Sequence, residues 1–230
     1  MVNGHRRNFR LVCDEKHAAA VEALLSAQGF CFEPESFAPL ARVLTHEPSP
    51  LGTSAAARFG RIYIQDRSSM LPALSLAPPR GSSVLDMCAA PGSKTGLLAR
   101  LVGPQGFVLG CEPSTARMAT LRATLRRAGA VQTATLHAAS ERLELGGPAL
   151  DYVLLDPPCS GWGTEDKNPH ARSLWSGEKT EPLIRLQRAL LERAAALLRP
   201  GGRLVYSTCT TNEAENEAQV LWALENLGLE

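Results

Sequence analysis

From residue 83 onward, short apolar, β-rich runs take turns with amphipathic helical stretches, and that rhythm constrains this chain more than anything else in it. Strands are predicted at 83–86, 107–112, 133–137, 152–156 and 203–208, with helices filling the gaps. Ser114 is placed to cap a helix whose Met118, Leu121 and Leu125 share one face, closed by Gly129. Pro182 opens a second, with Leu183, Leu186, Leu190, Ala194 and Leu197 on one face, closed by Pro200-Gly201-Gly202. A last helix is predicted after Asn212, whose side chain caps it while Glu215 reaches back to complete a capping box. Such alternation demands a parallel sheet with helices on both faces, so the fold class is α/β and doubly wound.

The first 65 residues read differently. A strand is predicted at 8–13, a helix at 15–28 with Val21, Leu24 and Leu25 on one face, and a strand at 41–45, with 31–60 otherwise irregular and proline-bearing. Residues 61–65 alternate and lead into the main domain, and 70–76 form a short helix. The expected division is a small N-terminal α+β unit over 1–65, like an RNA-binding unit, and a catalytic domain over 66–230.

A hydrophobic content of 44% and a net charge of +1 suit an ordinary globular protein and offer no global field for a polyanion. Local basic character is found at Arg117, Arg122, Arg126 and Arg127. No apolar stretch behind the N-terminus matches a signal peptide and none approaches the length of a membrane span. A cytoplasmic monomer with no membrane partner is therefore expected. The six cysteines include no C-x-x-C pair, so neither a zinc site nor a disulfide framework is expected. Cys13, Cys31 and Cys111 are assigned to packing.

Ligands in an open parallel sheet bind beyond the carboxyl ends of its strands, and three predicted strands end in loops that carry chemistry. The first loop holds Cys88, Ala89, Ala90, Pro91, Gly92, Ser93 and Lys94. Small residues let a ligand approach the backbone, and the helix that follows presents free N–H groups. The run matches neither a P-loop nor G-x-G-x-x-G. Glu112, at the end of the next strand, is placed to accept hydrogen bonds from two ribose hydroxyls, or else is a solvated strand-end charge. Asp156 ends the fourth strand, where it can bond a base edge or a cofactor, or cap a turn. Cys159 follows it, and Cys209 leaves the fifth strand ahead of the Asn212 helix, whose N-terminus favours the thiolate. Lys94 adds a cation. If the fourth and fifth strands are neighbours, the two thiols open on one cleft.

These residues resemble the Sun-type (Nol/Nop/Sun) RNA cytosine-5 methyltransferases. The resemblance rests on D-M-C-A-A-P-G-S-K-T, D-P-P-C-S-G-W-G-T, L-L-R-P-G-G-R-L-V-Y-S-T-C-T and N-E-A-E-N-E, in the family's order and spacing, and covers roughly residues 8 to 230. It implies the Rossmann-like sheet of a class I methyltransferase that uses S-adenosyl-L-methionine, acts on rRNA or tRNA and needs no metal. By the same resemblance, Cys88 to Lys94 line the cofactor, Glu112 holds its ribose and Asp156 lies between cofactor and base. Cys209 is then the nucleophile at carbon 6 of cytosine and Cys159 assists product release; the chemistry also needs a proton donor at ring nitrogen 3, which Asp156, protonated or sharing a proton, is placed to be, with Lys94 as a catalytic cation. The target base must be splayed out of any stack.

Two departures from the family pattern stand out. Ser140 occupies the place of an acid near the adenine, and the chain stops at Glu230 without the usual closing pair of antiparallel strands. The loop 162–179, with Lys167, His170, Arg172, Trp175 and Lys179, is either an RNA contact or a solvated lid. Rival readings are a DNA cytosine-5 methyltransferase, which places its nucleophile on a Pro-Cys dipeptide, and a catalytically silent RNA-binding or assembly protein.

Overall fold

The computed structural model describes residues 7–146, 150–166 and 168–230. Its first sheet is antiparallel, in the order β2-β3-β1-β4, and is built from β1 (Asn8–Leu11), β2 (Cys31–Pro34), β3 (Ala41–His46) and β4 (Ile62–Ile64), with helices α1 (Ala18–Ser26) and α2 (Ala55–Arg58) between strands. Phe9, Leu11, Val21, Leu25, Phe30, Leu44 and Leu51 form its core. Leu24 does not join them and is exposed, and the α-helix starts only at Ala18, after a 3-10 turn at Glu15–His17. Strand β2 was not expected. It alternates poorly and both its ends are exposed, so the patterning that marks a half-buried strand is missing. Cys31 lies on it, exposed, rather than in a core as expected.

Helix α3 (Arg67–Leu76) crosses to the second sheet, which is parallel and ordered β7-β6-β5-β8-β9. Its elements run β5 (Ser83–Asp86), α4 (Ser93–Val102), β6 (Phe107–Cys111), α5 (Thr115–Arg127), β7 (Thr133–Leu136), β8 (Leu150–Leu155), α6 (Ala171–Leu174), α7 (Glu181–Leu197), β9 (Leu198–Tyr206) and α8 (Glu217–Asn226). The strand order reverses beside β5, as a doubly wound sheet requires. One face buries Met70, Leu76, Leu98 and Val102 against Val84 and Val108, and the other buries Leu190, Leu191 and Leu197 against Leu85, Val153 and Leu155. Successive β5 residues thus face opposite layers, as the period of a strand dictates.

Helix α5 is capped by the Ser114 hydroxyl, which accepts from the Arg117 N–H, and it buries Met118, Leu121 and Leu125. At the other end of the chain two local expectations change. Pro200-Gly201-Gly202 does not merely close α7. It is absorbed into β9 as an irregularity, where Leu198 pairs with Leu150 and the ladder resumes at Arg203 with Tyr152. The segment after Asn212 is a 3-10 turn at Glu213–Glu215, and the α-helix begins only at Glu217.

Candidate active site

The β8–β9 ladder ends with the Ser207 N–H donating to the Leu155 carbonyl. Beyond that bond the two strands release the loops that carry Cys159 and Cys209, whose sulfur atoms lie 3.1 Å apart. Neighbouring parallel strands place them there, as expected from their order. The Cys209 backbone N–H also points at the Cys159 sulfur, at 3.4 Å.

The two thiols are electrically unlike. The Cys209 thiol is held down to about 7, chiefly by the hydrogen bond from Cys159, with a smaller contribution from the Lys94 cation against the opposing effects of burial and Asp156. That same bond, together with burial, pushes the Cys159 thiol up. The direction of these shifts favours Cys209 as the more acidic thiol of the pair, although backbone N–H groups of Cys209 and Gly161 act on Cys159 in the opposite sense. An α-helix N-terminus was the expected cause, but α8 starts eight positions further on, and the neighbouring thiol supplies the effect instead.

Asp156 follows β8 directly. One carboxylate oxygen is ion-paired with the Lys94 ammonium at 2.7 Å, and the other accepts the Ser207 hydroxyl at 2.8 Å. Lys94 projects from the first turn of α4, so the glycine-bearing loop and the cysteine loops meet at this pair. A groove of about 770 Å³ leads from Cys209 along Thr164 and Arg67 to Asn8 and Glu35 of the N-terminal sheet.

On the other side of Asp156 lies the loop of Cys88 to Ser93. Gly92 takes a φ of +102° and a Cβ there would sit 3.1 Å from Leu121 and Thr124, so the turn needs glycine for both conformation and room. Gly110 of β6 lets Ala89 approach closely, since a Cβ on it would lie 3.0 Å from that of Ala89. The first-turn N–H groups of α4, which follow the loop directly, have no partner within the helix. The Glu112 carboxylate, 1% exposed, accepts the Ser114 N–H at 2.9 Å and is approached by the Arg117 guanidinium at 3.4 Å. A carboxylate has about four acceptor positions, so Glu112 keeps capacity for hydroxyl donors. A pinched loop, a helix start and a strand-end carboxylate suit a nucleoside bearing an amino-acid tail, and S-adenosylmethionine has that chemistry.

Ser140 is buried and donates its hydroxyl to the Met87 carbonyl at 2.6 Å, bracing the base of the loop. Asp86 was missed by sequence reasoning. It ends β5, is buried, accepts the Thr95 hydroxyl at 2.7 Å, and is pushed up to about 6 by burial. Its position just before the loop was the available signal. Glu215 was read as half of a capping box. It does not reach back to the Asn212 N–H, which instead donates to the Thr210 hydroxyl. Its carboxylate turns inward to Ser160 and Gln187.

The loop after Gly161 is ordered into short turns, with Trp162–Thr164 as a 3-10 turn and the Gly163 N–H donating to the Cys209 carbonyl. Arg172 lies over the Trp162 ring at 5.3 Å and pairs with Glu165. Lys167 lies outside the described residues. Of the four arginines near α5, Arg117 is engaged with Glu112 and the Ala90 carbonyl, and Arg122 donates to Thr135. Among the described residues no cluster of metal-ligating side chains is found, and no helix is long and apolar enough to cross a membrane.

Residues 73–227 match the model of a family described as 16S rRNA methyltransferase RsmB/F. Ribosomal RNA small subunit methyltransferase F from Salmonella arizonae is 45% identical over 179 residues, which is 76% of this chain and 37% of that protein. The protein of the same name from Salmonella typhi is 44% identical, covering 78% of this chain and 38% of its own length. This chain thus spans well under half the length of these curated relatives. Among solved structures, a methyltransferase homolog protein from Pyrococcus horikoshii superposes with a TM-score of 0.83 at 33% identity, over 97% of this chain and 71% of that one. NSun6 from Pyrococcus horikoshii with SFG gives 0.85 at 21% identity, over 96% and 79%, a likeness of fold alone.

Proposed function

The chain belongs to the 16S rRNA methyltransferase RsmB/F family, and we propose that it methylates carbon 5 of a cytosine in RNA through a covalent bond from Cys209 to carbon 6. The observation that carries this reading is the meeting of two free thiols, Cys159 and Cys209, 3.1 Å apart at the carboxyl ends of neighbouring parallel strands that also release Asp156, itself paired with Lys94. A silent RNA-binding protein has no need to bring two thiols and an ion pair together there.

The family uses S-adenosylmethionine, which supplies an electrophilic methyl on a sulfonium. Cys88, Ala89, Ala90, Pro91, Gly92, Ser93 and the backbone of Lys94 would line it, with Glu112 on the ribose hydroxyls. Ser140 would hold the loop from beneath. Asp156 would stand between cofactor and base.

Carbon 5 of cytosine is a weak nucleophile. Attack by the Cys209 thiolate on carbon 6 forms a carbon–sulfur bond and moves the ring electrons toward nitrogen 3, leaving carbon 5 enamine-like. Asp156, sharing a proton, would donate to nitrogen 3 as it gains charge, with the Lys94 ammonium 2.7 Å from its carboxylate. After methyl transfer, loss of the carbon 5 proton expels the Cys209 thiolate and restores the ring. Cys159, whose sulfur lies 3.1 Å from that of Cys209, would receive that proton directly or through a water it orients. The base enters by the groove between Cys209 and the N-terminal sheet, so residues 1–65 would act as the RNA-facing unit and 66–230 as the catalytic one.

Trapping with 5-fluorocytosine RNA tests the assignment, because the fluorine blocks the elimination and leaves the protein bound. Cys209→Ala should abolish the trapped adduct. Cys159→Ala should form adduct with ordinary RNA and release it slowly. Trapping that depends on Cys159 and ignores Cys209 would reverse the roles.

A further inference from the structure

Past the last β8–β9 hydrogen bond the ladder stops, and the Gly163 N–H on the Cys209 carbonyl still joins the two cysteine loops through the backbone. A buried carboxylate adds a second tie, next to Cys159 itself. Glu215 is 0% exposed. One of its oxygens accepts the Ser160 N–H at 3.0 Å and the Gln187 amide at 2.9 Å. The other accepts the Ser160 hydroxyl at 2.5 Å and the Asn212 amide at 2.9 Å. Ser160 is the neighbour of Cys159, and Asn212 belongs to the loop of Cys209, so a single side chain grips both loops. Gln187, itself fully buried on α7, also donates to the Pro158 carbonyl at 2.9 Å and ties the grip to the helix layer.

The direction of the hydrogens is settled by the carboxylate at the end of the line. The Ser160 hydroxyl donates to Glu215, so the Thr210 hydroxyl, 2.7 Å away, must donate to Ser160. Thr210 in turn accepts the Asn212 N–H at 3.2 Å. The Ser160–Thr210 and Ser160–Glu215 bonds join one cysteine loop to the other, and the Asn212–Thr210 bond stiffens the Cys209 loop that they grip. A capping role does not account for the arrangement, since the Asn212 side chain accepts the Ala214 N–H and Glu215 caps none of the turn's N–H groups.

We propose that Glu215 is the positioning residue that sets the spacing of the two thiols, by clamping the Ser160 and Asn212 loops through its carboxylate. This rests on the reading of Cys209 as nucleophile and Cys159 as its donor. An amide in place of the carboxylate would aim two N–H bonds at groups that already donate, and the loops would part. The Cys159 S–H would then lose its hold on Cys209, and a misplacement of about 1 Å is enough to cost on the order of 100-fold in rate.

The test uses the full chain and its Glu215→Gln variant, with melting temperature and calorimetric binding of a cofactor analogue as controls. Alkylation of Cys209 by iodoacetamide is followed against pH by peptide mass spectrometry, alongside the rate of adduct formation with 5-fluorocytosine RNA. The variant should bind the analogue as wild type does, while its alkylation midpoint rises by about one unit and adduct formation slows about 100-fold. A folded variant with the wild-type midpoint and adduct rate overturns the proposal. Should Glu215→Gln fail to fold, Ser160→Ala removes only the hydroxyl link and should raise the midpoint by a smaller step; an unmoved midpoint there is equally fatal. Alkylation needs no RNA, so the two readings part cleanly. A wild-type chain that never traps RNA, with the midpoint shift intact, removes the cytosine chemistry and supports the clamp.

Discussion

The sulfur atoms of Cys159 and Cys209 share a hydrogen bond at 3.1 Å, although the two residues are fifty positions apart and sit on different strands' loops. The consequence is measurable without substrate. Cys209, held down to about 7, is half ionised at neutral pH, and its reactivity rises as pH rises through that value. Cys159→Ala removes that bond, so the midpoint should climb toward the ordinary thiol value and alkylation at pH 7 should slow about 15-fold. An unchanged midpoint would show that another group holds the charge.

Asp86 predicts a pH-dependent change in stability. Burial raises its carboxyl to about 6, above its unfolded value. The folded state therefore binds this proton more tightly than the unfolded state does, and stability is lost as pH rises from about 4 to 6. Asp86→Asn removes the buried charge. The new amide can donate to the Thr95 hydroxyl, which can turn its hydrogen to the Ala89 carbonyl 3.2 Å away. Thermal melts should show the variant more stable at pH 8 by on the order of 2 kcal/mol, with the difference vanishing near pH 4.

Gly92→Ala tests the loop's need for glycine. Its φ of +102° disfavours any side chain, and the added carbon would press on Leu121 and Thr124 at 3.1 Å. The strain should cost about 1–3 kcal/mol, seen as a lower melting temperature. Affinity for a cofactor analogue should fall about tenfold by calorimetry. Full retention of both would mean that the turn relaxes without consequence.

Glu112→Gln separates cofactor binding from thiol chemistry. The amide keeps an oxygen for the Ser114 N–H and loses the charge that strengthens bonds to hydroxyls. Analogue affinity should drop about tenfold, while the Cys209 alkylation midpoint stays where it is. A shift in that midpoint would show that the two halves of the site are not independent.

The sheet was legible because its signal is local and repeated. Leu85 and Val153, inside apolar runs bounded by turns, announce buried strands whatever surrounds them. The nucleophile's environment was legible only in part. Cys209 and Cys159 could be placed on neighbouring strands by topology, but the source of the lowered thiol was assigned to the nearest helix, because local sequence shows helix starts and does not show a donor arriving from another loop. Glu215 failed for the same reason. Three residues from Asn212 it matches a capping box, whereas its actual partner Ser160 is fifty-five positions away and invisible to any short window. Pro200-Gly201-Gly202 was read as a stop and became an irregularity within β9, since pairing with Leu150 and Tyr152 outweighs turn propensity.

Arg10 is one of the side chains that tie the small sheet to the rest of the molecule, together with Asp14 on Arg100 and Ala38 and Ala41 in the core of α3 and α4. It lies in β1, is buried, is gripped by Gln65, and stacks over Tyr63 at 5.2 Å. Its guanidinium extends to the Ser93 carbonyl at the head of α4, into space left free by Gly96, where a Cβ would lie 3.2 Å away. The small sheet is thereby braced against the residue that begins the cofactor loop's helix. The strand that opens the small sheet and the helix that follows the glycine loop thus share one buried guanidinium.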